Sequence, residues 1–222
     1  IAALDRSVGK VVEKLKDLDI YGKTLIVFTS DNGGANYIEL EDINKPYRGW
    51  KISFFEGGIR VPFIVSWPDE ISPGQRSNNA IHHFDIFSTI ASAAKTKSSN
   101  DNELDGVNLL PYIKKQTSSQ PHKTLFWRSG NHQSVLHENW KYIISKKENM
   151  RWLFDTSIDP LEKNNLIESH PKEARLIEGL LAKFNSEQKE PLFPPSYEAP
   201  IMIDKYDGQD YEEGDEYIYW SN

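Results

Sequence analysis

The strongest constraint on the fold is a continuous apolar run, Thr24-Leu25-Ile26-Val27-Phe28-Thr29, which follows a helical repeat and a glycine turn. Upstream of this run, apolar residues between Ile1 and Leu18 recur at intervals of three and four positions, which predicts one face of a helix. The run itself is typical of a strand buried on both faces of a parallel sheet. Helix, glycine turn and buried strand form half of a β-α-β unit, so the sequence predicts an α/β protein.

Later patterns predict how this fold continues. A second apolar strand covers 61–67, and the apolar spacing predicts helices over 81–94 and 109–114. From about residue 117, short β-prone runs separated by turn residues predict a small antiparallel sheet, and 171–184 predicts a helix.

Composition excludes several classes of protein. The chain has 222 residues, of which 38% are hydrophobic, so it can bury a sizeable core and is not generally disordered. A net charge of −7 argues against a nucleic-acid partner. The lack of cysteine excludes disulfides and thiolate metal sites. No run approaches the roughly 20 apolar residues of a membrane span.

Asp31-Asn32 directly follows the first predicted strand. A carboxylate and an amide oxygen at the carboxyl end of a strand suit a hard divalent cation, which prefers oxygen ligands. The same dipeptide, followed by Gly33 and Gly34, is also typical of a plain Asx turn. The dipeptide alone leaves both interpretations open.

The segments that follow extend this pattern. Tyr47-Arg48-Gly49-Trp50-Lys51 precedes Phe55-Glu56-Gly57-Gly58-Ile59-Arg60-Val61-Pro62, and Lys51 follows Asp31 by 20 positions. Together they resemble the sulfatase family of the alkaline phosphatase superfamily, whose pattern is S-D-N-G, then G-x-K about twenty residues later, then E-G-G-x-R-x-P. Further family motifs follow in order, as H-x-D-x-x-x-T at 83–89, D-G-x-x-L-x-P at 105–111, W-K-x-I at 140–143 and D-P-x-E-x-x-N-L at 159–166.

This resemblance, which covers roughly residues 1–185, implies roles for three residues. Asp31 and Asn32 would be metal ligands, with calcium as the usual ion of the family. Lys51 would be both catalytic and substrate-binding, because its ammonium would contact the sulfate and neutralise charge on the leaving oxygen. Glu56 and Arg60 are expected to pair and hold their loop.

The resemblance also implies an architecture: part of a mostly parallel sheet flanked by helices, then a small antiparallel sheet with a packed helix. We expect residues 1–116 to be the C-terminal part of the sulfatase catalytic α/β domain. Residues 117–188 would form the small subdomain, and 189–222 an extended tail.

The nucleophile of the family is a formylglycine made from the Cys or Ser of a C/S-x-P-x-R motif, which this chain lacks. We therefore expect the formylglycine in a missing N-terminal part, which would be the partner of this chain. Without it the chain is expected to be inactive. The resemblance further implies a sulfated small-molecule or carbohydrate substrate and a periplasmic or secreted location.

Two alternatives stay open at this stage. A phosphatase or phosphonate hydrolase of the same superfamily would share the fold, although such enzymes commonly show D-H-G where this chain has Asn32. A non-catalytic carbohydrate-binding or scaffolding fragment would use the aromatic tail to stack on sugar rings. The same aromatic residues could instead fix the tail to the domain surface.

Overall fold

The computed structural model describes residues 1–96, 104–190, 192–193 and 198–221, so the predicted tail lies partly outside the described residues. In chain order the elements are α1 (Ala2–Asp17), β1 (Ile26–Thr29), a short 3-10 turn (Asn36–Ile38), α2 (Glu56–Ile59), β2 (Phe63–Ser66), α3 (Asp85–Ala93), α4 (Leu110–Ile113), β3 (Thr124–Ser129), β4 (His132–His137), β5 (Trp140–Ser145), β6 (Met150–Asp155), α5 (Pro171–Glu187), β7 (Glu198–Met202) and β8 (Tyr217–Ser221). The predicted α/β class is confirmed.

The chain divides into two compact units. The first comprises Ile1–Thr29 and Pro62–His122, and the second comprises Ser30–Val61 and Lys123–Asn222. Segment 30–61 therefore belongs with the antiparallel sheet, whereas the sequence grouped it with the first 116 residues. The physical reason is Phe55, which is fully buried in one hydrophobic cluster with residues of β5 and β6.

In the first unit, β1 pairs with β2, and Val27 lies opposite Val65. The pairing is antiparallel, so the expectation of a parallel neighbour does not hold for these two strands. A continuous apolar run reports burial on both faces but not strand direction, and mostly parallel sheets often carry an antiparallel strand.

The second unit is built on a four-stranded antiparallel sheet in the order β3-β4-β5-β6, as the short β-prone runs predicted. Side chains alternate between the two faces of a strand, so each face has its own core. On one face, Tyr142 and Leu153 pack with Ile177 of α5. On the other face, Ile143 and Trp152 pack with Phe55 and with the chain's last two strands.

The predicted extended tail contains a β-hairpin. Strands β7 and β8 pair antiparallel, and the backbone N–H of Ile203 donates to the carbonyl of Glu216 at 2.9 Å. Ile203 and Ile218 are almost completely buried in the cluster that contains Phe55. Burial of these two isoleucines explains why the segment forms a hairpin in place of an extended strap. Among the helices described, none is long and apolar enough to cross a membrane.

Candidate active site

The Asp31-Asn32 loop begins directly after β1. Ser30 Oγ donates to the carbonyl of Asn32 at 2.9 Å, and Asn32 Nδ2 donates to the carbonyl of Gly33 at 2.9 Å. The amide nitrogen of Asn32 is thus occupied within the loop, which leaves its amide oxygen as a candidate ligand. Asp31 is exposed, and its carboxylate is approached by Ser30 Oγ at 3.5 Å.

Lys51 lies at the apex of a tight turn beside this loop. The turn is closed by a hydrogen bond of 2.9 Å from the Ser53 N–H to the Trp50 carbonyl. Ile52, directly after the lysine, has a φ of 79°, which is unusual for a β-branched residue. The Lys51 backbone N–H donates to the Gly34 carbonyl at 2.9 Å, and its ammonium donates to Tyr37 Oη at 3.4 Å.

Three loops of the second unit are packed backbone against backbone. The Gly33 N–H donates to the Gly58 carbonyl at 2.9 Å. A Cβ on Gly33 would lie 1.7 Å from the Gly57 carbonyl oxygen, and a Cβ on Gly57 would lie 2.4 Å from the Gly49 carbonyl oxygen. Only glycine allows such approaches. The loops that carry Asp31, Lys51 and Glu56 therefore form one packed unit.

Asn44 connects two of these loops. Its Oδ1 accepts from the Gly34 N–H at 2.6 Å, and its Nδ2 donates to the carbonyls of Gly34 and Gly49 at 2.9 and 3.0 Å. Asn44 is not among the residues predicted from the sequence, because an asparagine in a polar loop has no periodicity that distinguishes it.

A buried ionic cluster lies beneath the loops. The Lys141 ammonium is 2.6 Å from Glu56 Oε1 and 2.7 Å from Glu162 Oε1, and Glu162 Oε2 accepts from the Glu56 backbone N–H at 2.6 Å. Arg60 Nη1 is 3.1 Å from Glu56 Oε2, so the expected Glu56–Arg60 pair is confirmed. The cluster joins three of the motifs recognised in the sequence.

Burial and charge act in opposite directions on these groups. Burial works to raise the pKa of Glu56, but the charges of Lys141 and Arg60 outweigh it and hold that pKa below its usual value. Burial also works to lower the pKa of Lys141, and the two carboxylates outweigh it and raise that pKa. For Glu162, burial dominates and raises the pKa. The lysine is thus held as a buried cation.

Arg48 connects the loops to the C-terminal hairpin. Its Nε and Nη2 donate to the two carboxylate oxygens of Asp204 at 2.8 and 2.7 Å, and Nη2 also donates to Glu216. The guanidinium lies over the Phe55 ring, 5.0 Å from its centroid. The C-terminal hairpin is therefore joined to the segment around the Lys51 turn by the charge of Arg48 as well as by apolar packing on Phe55.

The family model for the C-terminal region of N-sulphoglucosamine sulphohydrolase matches residues 49–190, and the model named Sulfatase matches residues 1–96. The chain belongs to the sulfatase family. The two matches overlap on the loops that carry Lys51 and Glu56.

Individual sulfatases resemble the chain over most of its length. It is 31% identical to the steryl-sulfatase of Rattus norvegicus over 77% of this chain and 30% of that protein. It is 28% identical to the N-acetylgalactosamine-6-O-sulfatase of Bacteroides thetaiotaomicron over 82% of this chain and 40% of that protein. The crystal structure of Ps i-CgsB in complex with k-i-k-neocarrahexaose superposes with a TM-score of 0.76 at 30% identity, over 86% of this chain and 43% of that one. The chain thus spans less than half the length of these three proteins.

The donors of the loop suit the calcium ion expected for a sulfatase. Asp31 offers a carboxylate and Asn32 an amide oxygen, and hard cations prefer such oxygen ligands. Within the described ranges, no group of three or more His, Cys, Asp or Glu residues could hold a metal ion. Two ligands are too few for a complete calcium site, so Asp31 and Asn32 fit as part of a larger ligand set. Their roles and that of Lys51 stay predictions.

Proposed function

We propose that this chain supplies part of the active site of a metal-dependent sulfuric ester hydrolase. The observation that carries the proposal is the hydrogen bond between the Lys51 N–H and the Gly34 carbonyl. It holds the base of the lysine two residues from Asn32, so that a cation and an ammonium can act on one anionic group. We assign Asp31 and Asn32 as metal ligands, and Lys51 as a catalytic and substrate-binding residue.

The chemistry of sulfate esters accounts for this combination. When the ester bond breaks, negative charge is distributed over the sulfuryl oxygens and the leaving oxygen. A bound calcium would supply electrostatic stabilisation of that charge. Lys51 contributes a second positive charge, which contacts the sulfate and neutralises the leaving oxygen. Tyr37 Oη, which accepts from the Lys51 ammonium, restricts the directions in which this side chain extends.

We propose a sulfated carbohydrate as the substrate. One similar protein is named for N-acetylgalactosamine-6-O-sulfate chemistry, and a similar structure holds an oligosaccharide of the neocarrahexaose type. Tyr37 supports the proposal, because this residue is 56% exposed beside Lys51 and its ring could stack on the apolar face of a sugar.

The remainder of the site would come from residues outside this chain. The chain contains neither a cysteine nor a serine followed by x-P-x-R. We therefore propose that an N-terminal part provides the formylglycine and the remaining metal ligands. On this account the 222-residue chain alone is inactive. We further propose a periplasmic or secreted location, in line with exported bacterial sulfatases.

An assay of the full-length protein with paired aryl sulfate and aryl phosphate esters tests the proposal. We expect sulfate ester hydrolysis that is lost with a chelator and restored by calcium. Lys51→Ala should lower kcat/KM by roughly 10²–10³-fold, in line with the loss of one transition-state donor. Lys172→Ala, at an exposed lysine of α5, is the matched control.

Preference for the phosphate ester would favour the phosphatase or phosphonate hydrolase alternative. Sugar binding without hydrolysis would favour the non-catalytic one.

A further inference from the structure

One side chain that belongs to neither segment hydrogen-bonds to both the Asp31-Asn32 loop and the Lys51 turn. Asn44 lies ten positions after Gly34 and five before Gly49, and it hydrogen-bonds to both glycines. Its Oδ1 and Nδ2 together satisfy both backbone groups of Gly34, at 2.6 and 2.9 Å. An amide side chain that accepts from the N–H and donates to the carbonyl of the same residue holds the backbone of that residue in one orientation.

The Gly34 carbonyl is the centre of this arrangement. It accepts from Asn44 Nδ2 at 2.9 Å and from the Lys51 backbone N–H at 2.9 Å. Two residues before Lys51, the Gly49 carbonyl accepts a hydrogen bond from Asn44 Nδ2 at 3.0 Å. Asn44 therefore hydrogen-bonds to the backbone of both segments, at Gly34 after the Asp31-Asn32 pair and at Gly49 before Lys51.

We infer that Asn44 is a positioning residue that sets the placement of Lys51 relative to the Asp31-Asn32 ligand pair. This inference rests on the proposed function. Removal of the side chain breaks both Asn44 hydrogen bonds to Gly34, so the Lys51 N–H stays bonded to a carbonyl whose orientation is no longer fixed. The expected result is a displaced lysine and a looser ligand pair, with the chain still folded because the glycine contacts between Gly33, Gly57 and Gly58 remain.

Asn165 provides a matched control in the same unit. Its Oδ1 accepts from the N–H groups of Leu153 and Ile167 at 3.0 and 3.1 Å, and its Nδ2 donates to the Arg151 carbonyl at 3.0 Å. It makes three backbone hydrogen bonds, as Asn44 does, although it accepts two and donates one where Asn44 accepts one and donates two. Two of its partners lie in β6, away from the Lys51 turn. A purely structural effect of losing an asparagine clamp should therefore appear equally in both variants.

The test compares Asn44→Ala and Asn165→Ala in the full-length protein by three measurements. These are the melting temperature, calcium affinity by calorimetry, and kcat/KM for aryl sulfates whose leaving phenols span several pKa units. We expect Asn44→Ala to weaken calcium binding and lower kcat/KM by about 10–100-fold, as for groups that orient metal ligands. The loss in kcat/KM should grow with the leaving-group pKa, because a displaced Lys51 neutralises the leaving oxygen less well. Asn165→Ala should lower the melting temperature alone.

The inference is overturned if Asn44→Ala matches Asn165→Ala in all three measurements. Lys51→Ala in the same series separates this failure from that of the proposed function. If Lys51→Ala leaves the leaving-group dependence unchanged, the proposed role of Lys51 is wrong. In that case calcium affinity alone decides the role of Asn44. Unchanged calcium binding in Asn44→Ala would overturn the inference, and weakened calcium binding would show that Asn44 positions the Asp31-Asn32 pair.

Discussion

The ammonium nitrogen of Lys141 lies 2.6 Å from Oε1 of Glu56, and the lysine side chain is completely buried. This contact joins the W-K strand of the small sheet to the turn whose glycines pack under the Lys51 loop. Lys141 is on the same face of the sheet as Ile143, the face that the Phe55 loop covers, because side chains alternate along β5. The strand thus supports the candidate active site through a buried charge.

The first prediction concerns the stability that depends on this charge. Lys141→Met leaves Glu56 and Glu162 buried without their main cation, so it should lower the free energy of unfolding by ~3–5 kcal/mol. Lys147→Met is the matched control, since Lys147 also pairs with a glutamate at 2.7 Å but lies at the surface, and it should leave stability nearly unchanged. Urea unfolding measures both. Equal losses in the two variants would show that the buried cluster contributes no more to the free energy of unfolding than an exposed ion pair does.

The second prediction is a pH dependence that originates at His132. This ring is buried and stacks on Phe54 with centroids 4.6 Å apart. Burial is the largest effect and lowers its pKa from 6.5 to about 3, against a smaller opposite effect of the Ile52 backbone. Between these values the unfolded chain binds a proton that the folded chain does not. Stability should therefore decrease as the pH falls below 6.5, by about 1.4 kcal/mol per pH unit from this group.

His132→Phe isolates that contribution, because phenylalanine preserves the stack on Phe54 and carries no titrating group. Unfolding curves between pH 4 and 7 should show a smaller loss of stability in the variant than in the wild type. The two proteins should have similar stability at pH 7. Parallel stability profiles for the variant and the wild type would mean that His132 binds a proton as readily in the folded state as in the unfolded state.

The third prediction concerns the glycine contacts. Gly33→Ala forces a Cβ to within 1.7 Å of the Gly57 carbonyl, so it should destabilise the protein by roughly 1–3 kcal/mol and weaken calcium binding. Gly179→Ala has the opposite expectation. Its Cβ meets nothing within 4 Å, and alanine is the better helix former, so stability should rise by roughly 0.5–1 kcal/mol. Thermal unfolding of the pair checks both signs, and a neutral Gly33→Ala would contradict the close packing of the loops.

The fourth prediction concerns the C-terminal hairpin. Arg48→Lys removes the paired hydrogen bonds to Asp204, because an ammonium cannot match the fork of a guanidinium. Hydrogen exchange at the Ile203 amide should become faster, because the free energy of opening the hairpin should fall by on the order of 1–3 kcal/mol. Arg151→Lys, at the exposed pair with Glu178, is the control and should leave that amide unchanged. Equal exchange in both variants would show that apolar packing alone holds the hairpin.

Local patterns were sufficient to predict much of this fold. The spacing of apolar residues from Ile1 to Leu18 predicted α1, and short β-prone runs predicted the sheet β3–β6. These features depend on periodicity within one segment, which a single sequence displays. Strand direction in the β1–β2 pair and burial of Ile203 and Ile218 depend on contacts between distant segments, so the sequence did not display them.

The candidate site shows the same division. Asp31, Asn32 and Lys51 were named from motifs, and Glu56 and Arg60 were expected to pair and hold the loop of the E-G-G-x-R segment that contains both. The buried partner of Glu56, Lys141, lies 85 positions away, and only the folded chain brings the two together. Asn44 was missed for a related reason, because its partners are backbone groups, which any residue type provides.

The most direct test of the central claim is a crystal structure of the full-length protein with calcium and a bound sulfate ester. We expect the Asp31 carboxylate and the Asn32 amide oxygen at about 2.3–2.6 Å from the calcium. The Lys51 ammonium should lie within hydrogen-bond distance of an oxygen of the same sulfate. A sulfate held elsewhere, with Lys51 directed into solvent away from the Asp31-Asn32 pair, would contradict the account.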